Sequence, residues 1–427
     1  MQINLSITLF FIIILTLTLI SGCDKKSTQT TFIPTIIEPE PEPEVYKSIH
    51  VNSSILNNQK APKIALANNG NFLVLWKSQD GIEEGNYNIY AQLFNGRGYK
   101  IGGEFRVNNE ANSKIAHDET QLNYDITANN FGNFVVVYST DGATSGANVF
   151  IQYYNDEDAS PVMSLKANQG DMEQIAPSVA IDSNNHGDVI ITYQSQTDGL
   201  QGHKYSLYSA SFELLYTNWI DTKTQNHSLD IALNDDKTFI SGWHTSSLTD
   251  HVYMAKISED GKKLSSFKAP NKTNSNNVQV DIGYNGTVLW LYKLKVDTHW
   301  VVSGKLFNNT MQESKNFIDR EAKCDFGEDF TAVLDNNNSL YIVHSLSSYA
   351  NATNQNADNS DLYYRLYNHT EEIKLVMNYG LINIEKLYDQ KLPAITVNST
   401  GVVATWQNSA EDNKNSDGIY AGILSNL

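Results

Sequence analysis

The chain writes one phrase seven times. GNFLVLW (70–76), GNFVVVY (132–138), GDVIITY (187–193), KTFISGW (237–243), GTVLWLY (286–292), NSLYIVH (338–344) and GVVATW (401–406) are short apolar runs, and most end in an aromatic residue. Before each comes a short run ending in a polar turn, as in KIALANNG, VAIDSNNHG and DIGYNG. Asn, Asp and Gly tolerate positive φ and suit tight hairpins. After each comes a polar loop and a third run, NIYAQLF (88–94) in the first copy and GIYAGIL (418–424) in the last. A fourth run follows in several copies, clearest as GGEFRVN (102–108).

The unit is therefore a meander of four antiparallel strands. One such sheet cannot bury both its faces, so each copy must stack on another. The second run is apolar at consecutive positions and should be covered on both sides. Radial stacking provides that cover and leaves only short edges. The expectation is all-β: a seven-bladed β-propeller of four-stranded antiparallel blades. The last copy stops after its third strand, and YKSIHVN (46–52) matches GGEFRVN in character. The N-terminal strand is thus expected to close the last blade, with the propeller covering 47–427.

The early copies resemble the blade repeats of large bacterial surface and secreted proteins. Pro62, Gly70, Trp76, Asp80, Gly81, Tyr90, Gln92 and Phe94 carry that resemblance. These positions are structural in the pattern, so the resemblance implies a fold and no active site.

Residues 1–22 contain an apolar run from about Leu5. At 1.5 Å per residue, about 16 helical residues fall short of a roughly 30 Å hydrocarbon core. The run reads as a signal peptide. Ile20-Ser21-Gly22-Cys23 resembles the lipobox of bacterial lipoproteins, which implies cleavage before Cys23 and acylation of its sulfur. MQINLS departs from that pattern in having no Lys or Arg. Residues 23–46 carry a Glu-Pro alternation that favours extended polyproline conformation, a semi-rigid tether. The expected location is the bacterial cell envelope, anchored by lipid and monomeric.

The formal net charge is −18 with 30 Lys and Arg. That charge repels phosphate backbones, so nucleic acid is not an expected partner. Cations or basic partners are the electrostatically natural ligands. With Cys23 acylated, Cys324 is the one remaining thiol of two cysteines. It reads as a small buried hydrophobe.

Long polar loops between second and third strands, such as KSQDGIEEGNYN and SLSSYANATNQNADNS, gather at one end of a propeller. Exposed loops on a rigid scaffold are where binding residues concentrate. Asp125, Asp230 and Asp281 each lie four residues before the Asn of the following turn (Asn129, Asn234, Asn285). Counted that way, Ile64, Ala180, Ala332 and Ala394 hold the equivalent places. Three carboxylates at one level of the channel would bind a cation such as calcium, or raise one another's pKa; alternatively each accepts hydrogen bonds from a neighbouring blade. DSNNHGDV (182–189) starts like a calcium loop but has Tyr193 at its twelfth position. No HExxH, GxSxG, phosphate-loop or CxxC motif occurs. The four arginines do not recur with the repeat, which speaks against a sialidase-like site. The leading expectation is a non-enzymatic module for protein or glycan. The alternatives are a polysaccharide hydrolase or lyase using loop carboxylates, and a calcium-binding surface module.

Overall fold

The computed structural model describes residues 48–424 apart from 54–57, 80–86, 109–122, 130–131, 141–145, 168–173, 183–186, 198–199, 223–225, 246–250, 270–277, 284, 297–298, 325–329, 348–359, 370–372, 383–388 and 412–415. All described residues belong to one compact unit, Tyr46–Leu427. Cys23, the tether, Asp80 and Gly81 lie outside the described residues, as do most of the loops between second and third strands.

Seven four-stranded antiparallel sheets follow one another along the chain. Their innermost strands are Gln59–Leu66, Tyr124–Ala128, Gln174–Ile181, Asn226–Leu233, Val278–Ile282, Phe330–Leu334 and Gln390–Asn398, for blades 1 to 7. Blade 7 takes its outer strand from the other end of the chain. Ile49–His50 pairs antiparallel with Ser416–Ile423, in the register Ile49 with Ala421 and His50 with Tyr420. The join continues as Val51 N–H donates to the Ile419 carbonyl at 2.8 Å and Ile419 N–H to Asn52 Oδ1 at 2.7 Å. The expected fold and its closure are both present.

Each interface between blades has its own buried cluster. Blades 1 and 2 share Leu73, Leu75, Tyr124 and Phe134; blades 7 and 1 share Ala394, Val403, Ile419, Ile64, Val74 and Trp76. Five further clusters fill the remaining contacts round the ring. This explains the unbroken apolar second strands. In blade 1, Phe72 to Trp76 are all fully buried, because alternate residues enter the clusters on either side. A strand covered on both faces has no use for the polar alternation of a half-solvated one.

A second repeat marks the inner strands. Gln-Lys-Ala-Pro (59–62), Gln-Ile-Ala-Pro (174–177) and Gln-Lys-Leu-Pro (390–393) open blades 1, 3 and 7. The residue before each proline has positive φ: 53° at Ala61, 50° at Ala176 and 49° at Leu392. The strand pairing shifts register at each of these places. Such a backbone is strained for a residue with a Cβ. At Ala61 the bulge presents its amide and carbonyl to neighbours: Ala61 N–H donates to Gln407 Oε1 of blade 7 at 3.2 Å, and Tyr124 Oη of blade 2 donates to the Ala61 carbonyl. Both adjoining blades thereby hold the bulge in place.

Candidate functional site

The two ends of the ring differ. Tight hairpins joining first to second and third to fourth strands form one end. The links between blades and the loops between second and third strands form the other.

Midway between them the inner strands line the channel. The hairpin hydrogen bonds fix which residues share a level. Ala67 N–H donates to the Asn71 carbonyl, Asn129 to Asn133, Asn234 to Thr238, Gly283 to Thr287 and Asp335 to Ser339. Counting back equally from these equivalent positions places Lys63, Asp125, Ser178, Asp230, Gln279, Thr331 and Ala394 at one level of blades 1 to 7. Asp125 and Asp230 share that level, as expected from their spacing. Asp281 does not: it lies two residues further toward the hairpin end, one pleat or roughly 7 Å away. The blade 5 turn begins at Gly283 rather than at the asparagine used for counting. The same correction replaces Ile64 by Lys63, Ala180 by Ser178 and Ala332 by Thr331.

The level is a ladder of braces between blades. Asp125 Oδ2 accepts from Val179 N–H at 3.1 Å and Ser178 Oγ at 2.9 Å, both in blade 3. Asp230 Oδ2 accepts from Val280 N–H of blade 5 at 2.8 Å. Gln279 Oε1 accepts from Ala332 N–H of blade 6 at 2.6 Å. In each case the acceptor takes the amide one residue beyond its counterpart in the next blade. Asp281 repeats the device a pleat lower, where its Oδ2 accepts from Leu334 N–H at 2.8 Å. The second oxygens of Asp230 and Asp281 accept from the amides of Ile231 (3.0 Å) and Ile282 (2.8 Å). Blade 1 contributes a cation instead: Lys63 Nζ lies 3.1 Å from Asp125 Oδ1.

Electrostatics follow from this placing. Burial pushes the Asp230 carboxyl up to about 7; the Val280 amide opposes the shift, the Asp125 charge adds to it, and Lys63 opposes it. Burial likewise raises Asp281, against the amides of Leu334 and Ile282. For Lys63, burial favours the neutral amine, but the charges of Asp125 and then Asp230 outweigh it, and its pKa is raised. Among the described residues no group of three or more His, Cys, Asp or Glu side chains is placed to hold a metal ion. Residues 183–186 of the calcium-like stretch lie outside the described residues.

Sequence reasoning missed Lys63 and Gln279. Each lies thirteen residues before the aromatic that closes its second strand (Trp76, Tyr292), as Asp125 and Asp230 do before Tyr138 and Trp243. That count, rather than the asparagines, carried the register.

At the loop end of blades 1 and 2 two lysines lie over aromatic rings. Lys60 Nζ lies 5.9 Å from the Tyr87 ring centre and Lys77 Nζ 5.8 Å from that of Tyr124. Trp76 Nε1 donates to Gln59 Oε1 at 2.7 Å.

No protein-family model and no curated protein sequence matches the chain. Solved structures do match in fold. A polysaccharide lyase, the ulvan lyase of a family called PL25, superposes with a TM-score of 0.54 at 9% identity, over 88% of this chain and 95% of that one. The α-L-arabinanase of Penicillium chrysogenum, complexed with arabinobiose, gives 0.48 at 11% identity over 90% and 98%. A puromycin hydrolase gives 0.48 at 12% identity, over 84% of this chain. The chain spans about half the length of that hydrolase, 53%. At these identities the likeness is one of fold.

Proposed function

We propose that this protein is an envelope lipoprotein, anchored through Cys23, whose propeller is a non-enzymatic binding module presenting its loop end to a glycan or a protein. The observation that supports it most is the occupation of the channel carboxylates. Asp230 and Asp281 each accept a backbone amide on both oxygens, and Asp125 holds Lys63, Ser178 and Val179. They hold blades together. An acid–base pair needs an oxygen within reach of substrate. The loop end is the surface left for recognition, and Lys60, which is half-buried, lies at its described margin.

The test is retention of purified envelope and plant or algal polysaccharides by the immobilised full chain, with assay of the eluate for reducing and unsaturated ends. Retention of at least one polysaccharide with intact chains is the expected result, at a Kd of about micromolar order. Cleaved chains would favour the second reading, a polysaccharide hydrolase or lyase, toward which the fold shared with a polysaccharide lyase points. Failure to retain any polysaccharide or any envelope protein would overturn the binding reading.

A further inference from the structure

The seam between blades 3 and 4 breaks the repeat. His203, in the third strand of blade 3, pairs with Gln194 of the second strand. The same place, opposite the residue that follows the closing aromatic, holds Ile89, Val149, Val252, Val302, Leu362 and Ile419 in the other blades, all buried. Ser241, two residues before Trp243, stands where the other blades have Val74, Val136, Ile191, Trp290, Ile342 and Ala404. Strand alternation fixes which way these side chains face. Thr192 and Gln194 share the face of Ile190, His203 that of Tyr205 and Leu207, and Ser241 that of Phe239 and Trp243. All of those neighbours belong to the cluster between blades 3 and 4. The His203 and Trp243 rings meet across the seam with centres 6.1 Å apart.

The polar groups on these walls are buried without hydrogen-bond partners. They are Thr192 Oγ1, Gln194 Oε1, both ring nitrogens of His203, Ser241 Oγ and Trp243 Nε1. In blade 1 the matching indole, Trp76, donates to Gln59. Burial, with the Lys263 charge adding to it, pushes His203 down to about 3, so its ring is neutral. A buried polar group without a partner has lost its water and made no bond in exchange, so contact between these walls stabilises less than contact between aliphatic ones.

The channel brace is also missing here among the described residues. The acceptor place in blade 3 is Ser178, whose hydroxyl donates back to Asp125 of blade 2. The blade 4 amide that a brace would hold, Ile231 N–H, goes to Asp230 of its own blade. The bonds that do join blades 3 and 4 lie at the hairpin end. Tyr205 Oη donates to the Glu259 carbonyl at 2.8 Å, and Lys237 Nζ lies 3.0 Å from Asp188 Oδ2. Gln194 and His203 lie toward the loop end, close to the turn that joins Thr197 to Leu200.

We infer that blades 3 and 4 part at their loop end, hinged at their hairpin end, so that this seam is the joint at which the closed ring opens. Opening it lets water reach the unpaired side chains, whereas opening a seam walled by aliphatic residues exposes apolar surface alone. The natural competitor is the seam between blades 7 and 1, where the two ends of the chain meet. That seam is walled by Val74, Trp76, Val403 and Ile419 and tied by Gln407 Oε1, which accepts from Ala61 N–H at 3.2 Å.

The test is thiol exposure in the folded full chain carrying Cys23→Ser and Cys324→Ala. Three fully buried alanines of third strands take the reporter one at a time: Ala255→Cys in the seam of blades 3 and 4, Ala91→Cys in that of 1 and 2, and Ala421→Cys in that of 7 and 1. With iodoacetamide in native buffer the thiol at 255 should label at least about tenfold faster than the other two, at a rate nearly independent of urea below the unfolding transition. His203→Val, which installs the residue of blades 2, 4 and 5, should slow labelling at 255 about fivefold and leave the other two rates unchanged. Ala180→Cys, on the blade 3 wall of the same seam, repeats the measurement should Ala255→Cys not fold, and Thr192→Val replaces His203→Val in the same way. Equal rates at the three sites would mean that only the whole ring unfolds, and would overturn the inference. So would fastest labelling at 421, which marks opening where the chain ends meet, or a rate at 255 that loss of the polar side chain leaves unchanged.

Discussion

Asp125 and Asp230 are the same residue at the same level of one channel, and both brace their blade to the next. Asp125 has Lys63 at 3.1 Å. Asp230 is held instead by two backbone amides, Ile231 at 3.0 Å and Val280 at 2.8 Å, and burial pushes its carboxyl up to about 7. Gln279 performs the same task in blade 5 without a charge. The brace therefore requires an acceptor, and the charge is a separate matter that one site balances and the other leaves to burial.

Removing the balance should have the largest effect. Lys63→Met leaves Asp125 beside Asp230 with no cation. The pair keeps some solvent, with side-chain exposures of 29% and 14%, so the loss should fall below that of a fully buried pair, at about 2 kcal/mol. Urea unfolding at pH 7 measures it. Lys63→Met with Asp125→Asn should recover most of the loss. If the double variant is as unstable as the single one, Lys63 acts through packing and the contrast between the two sites fails.

Asp230→Asn reverses the sign. A carboxyl raised from 3.8 to about 7 contributes its stability below about pH 4 and loses it as pH rises through 7. The variant should be more stable than wild type by about 1–2 kcal/mol at pH 8, since shedding the buried charge outweighs the one amide, of Val280 or Ile231, that Asn leaves without an acceptor. At pH 4 the advantage should vanish. Thermal melts across pH 4–8 read both limbs. An equal change at the two pH values would mean that the hydrogen bond, and not ionisation, separates Asp230 from Asp125.

How far this could be read in advance depends on what each feature repeats. The blades were legible because burial on both faces forces every second strand to be apolar, and their closing aromatics kept the count. The N-terminal closure was legible because the last copy lacks a strand and YKSIHVN supplies its pattern. The register of the channel was not, since Ala67 and Gly283 occupy turn positions where blades 2 and 4 have Asn129 and Asn234. Backbone hydrogen bonds define those turns, and their side chains vary. Looking for carboxylates also hid Gln279, whose amide oxygen meets the same N–H.

Gln279→Glu carries the comparison into blade 5 by adding charge where none exists. The new carboxylate would keep Ala332 N–H but lie at the level of Asp230 and Asp125. The expected cost is about 1 kcal/mol at pH 8 and none at pH 4, read from the same melts. A cost present at both pH values would indicate a misfit of shape.

The smallest effect belongs to Asp281, a pleat below the charged level. Burial raises its pKa, and both its oxygens accept amides. Asn would relieve the burial of charge yet offer one acceptor oxygen in place of two, so one amide of Ile282 and Leu334 loses its partner. A lost hydrogen bond costs about 1 kcal/mol, similar in size to the relief. Asp281→Asn should then lie within about 0.5 kcal/mol of wild type at pH 7. A large loss would show that the double brace between blades 5 and 6 needs both oxygens. A large gain would make Asp281 another Asp230, and the level of the channel would cease to matter.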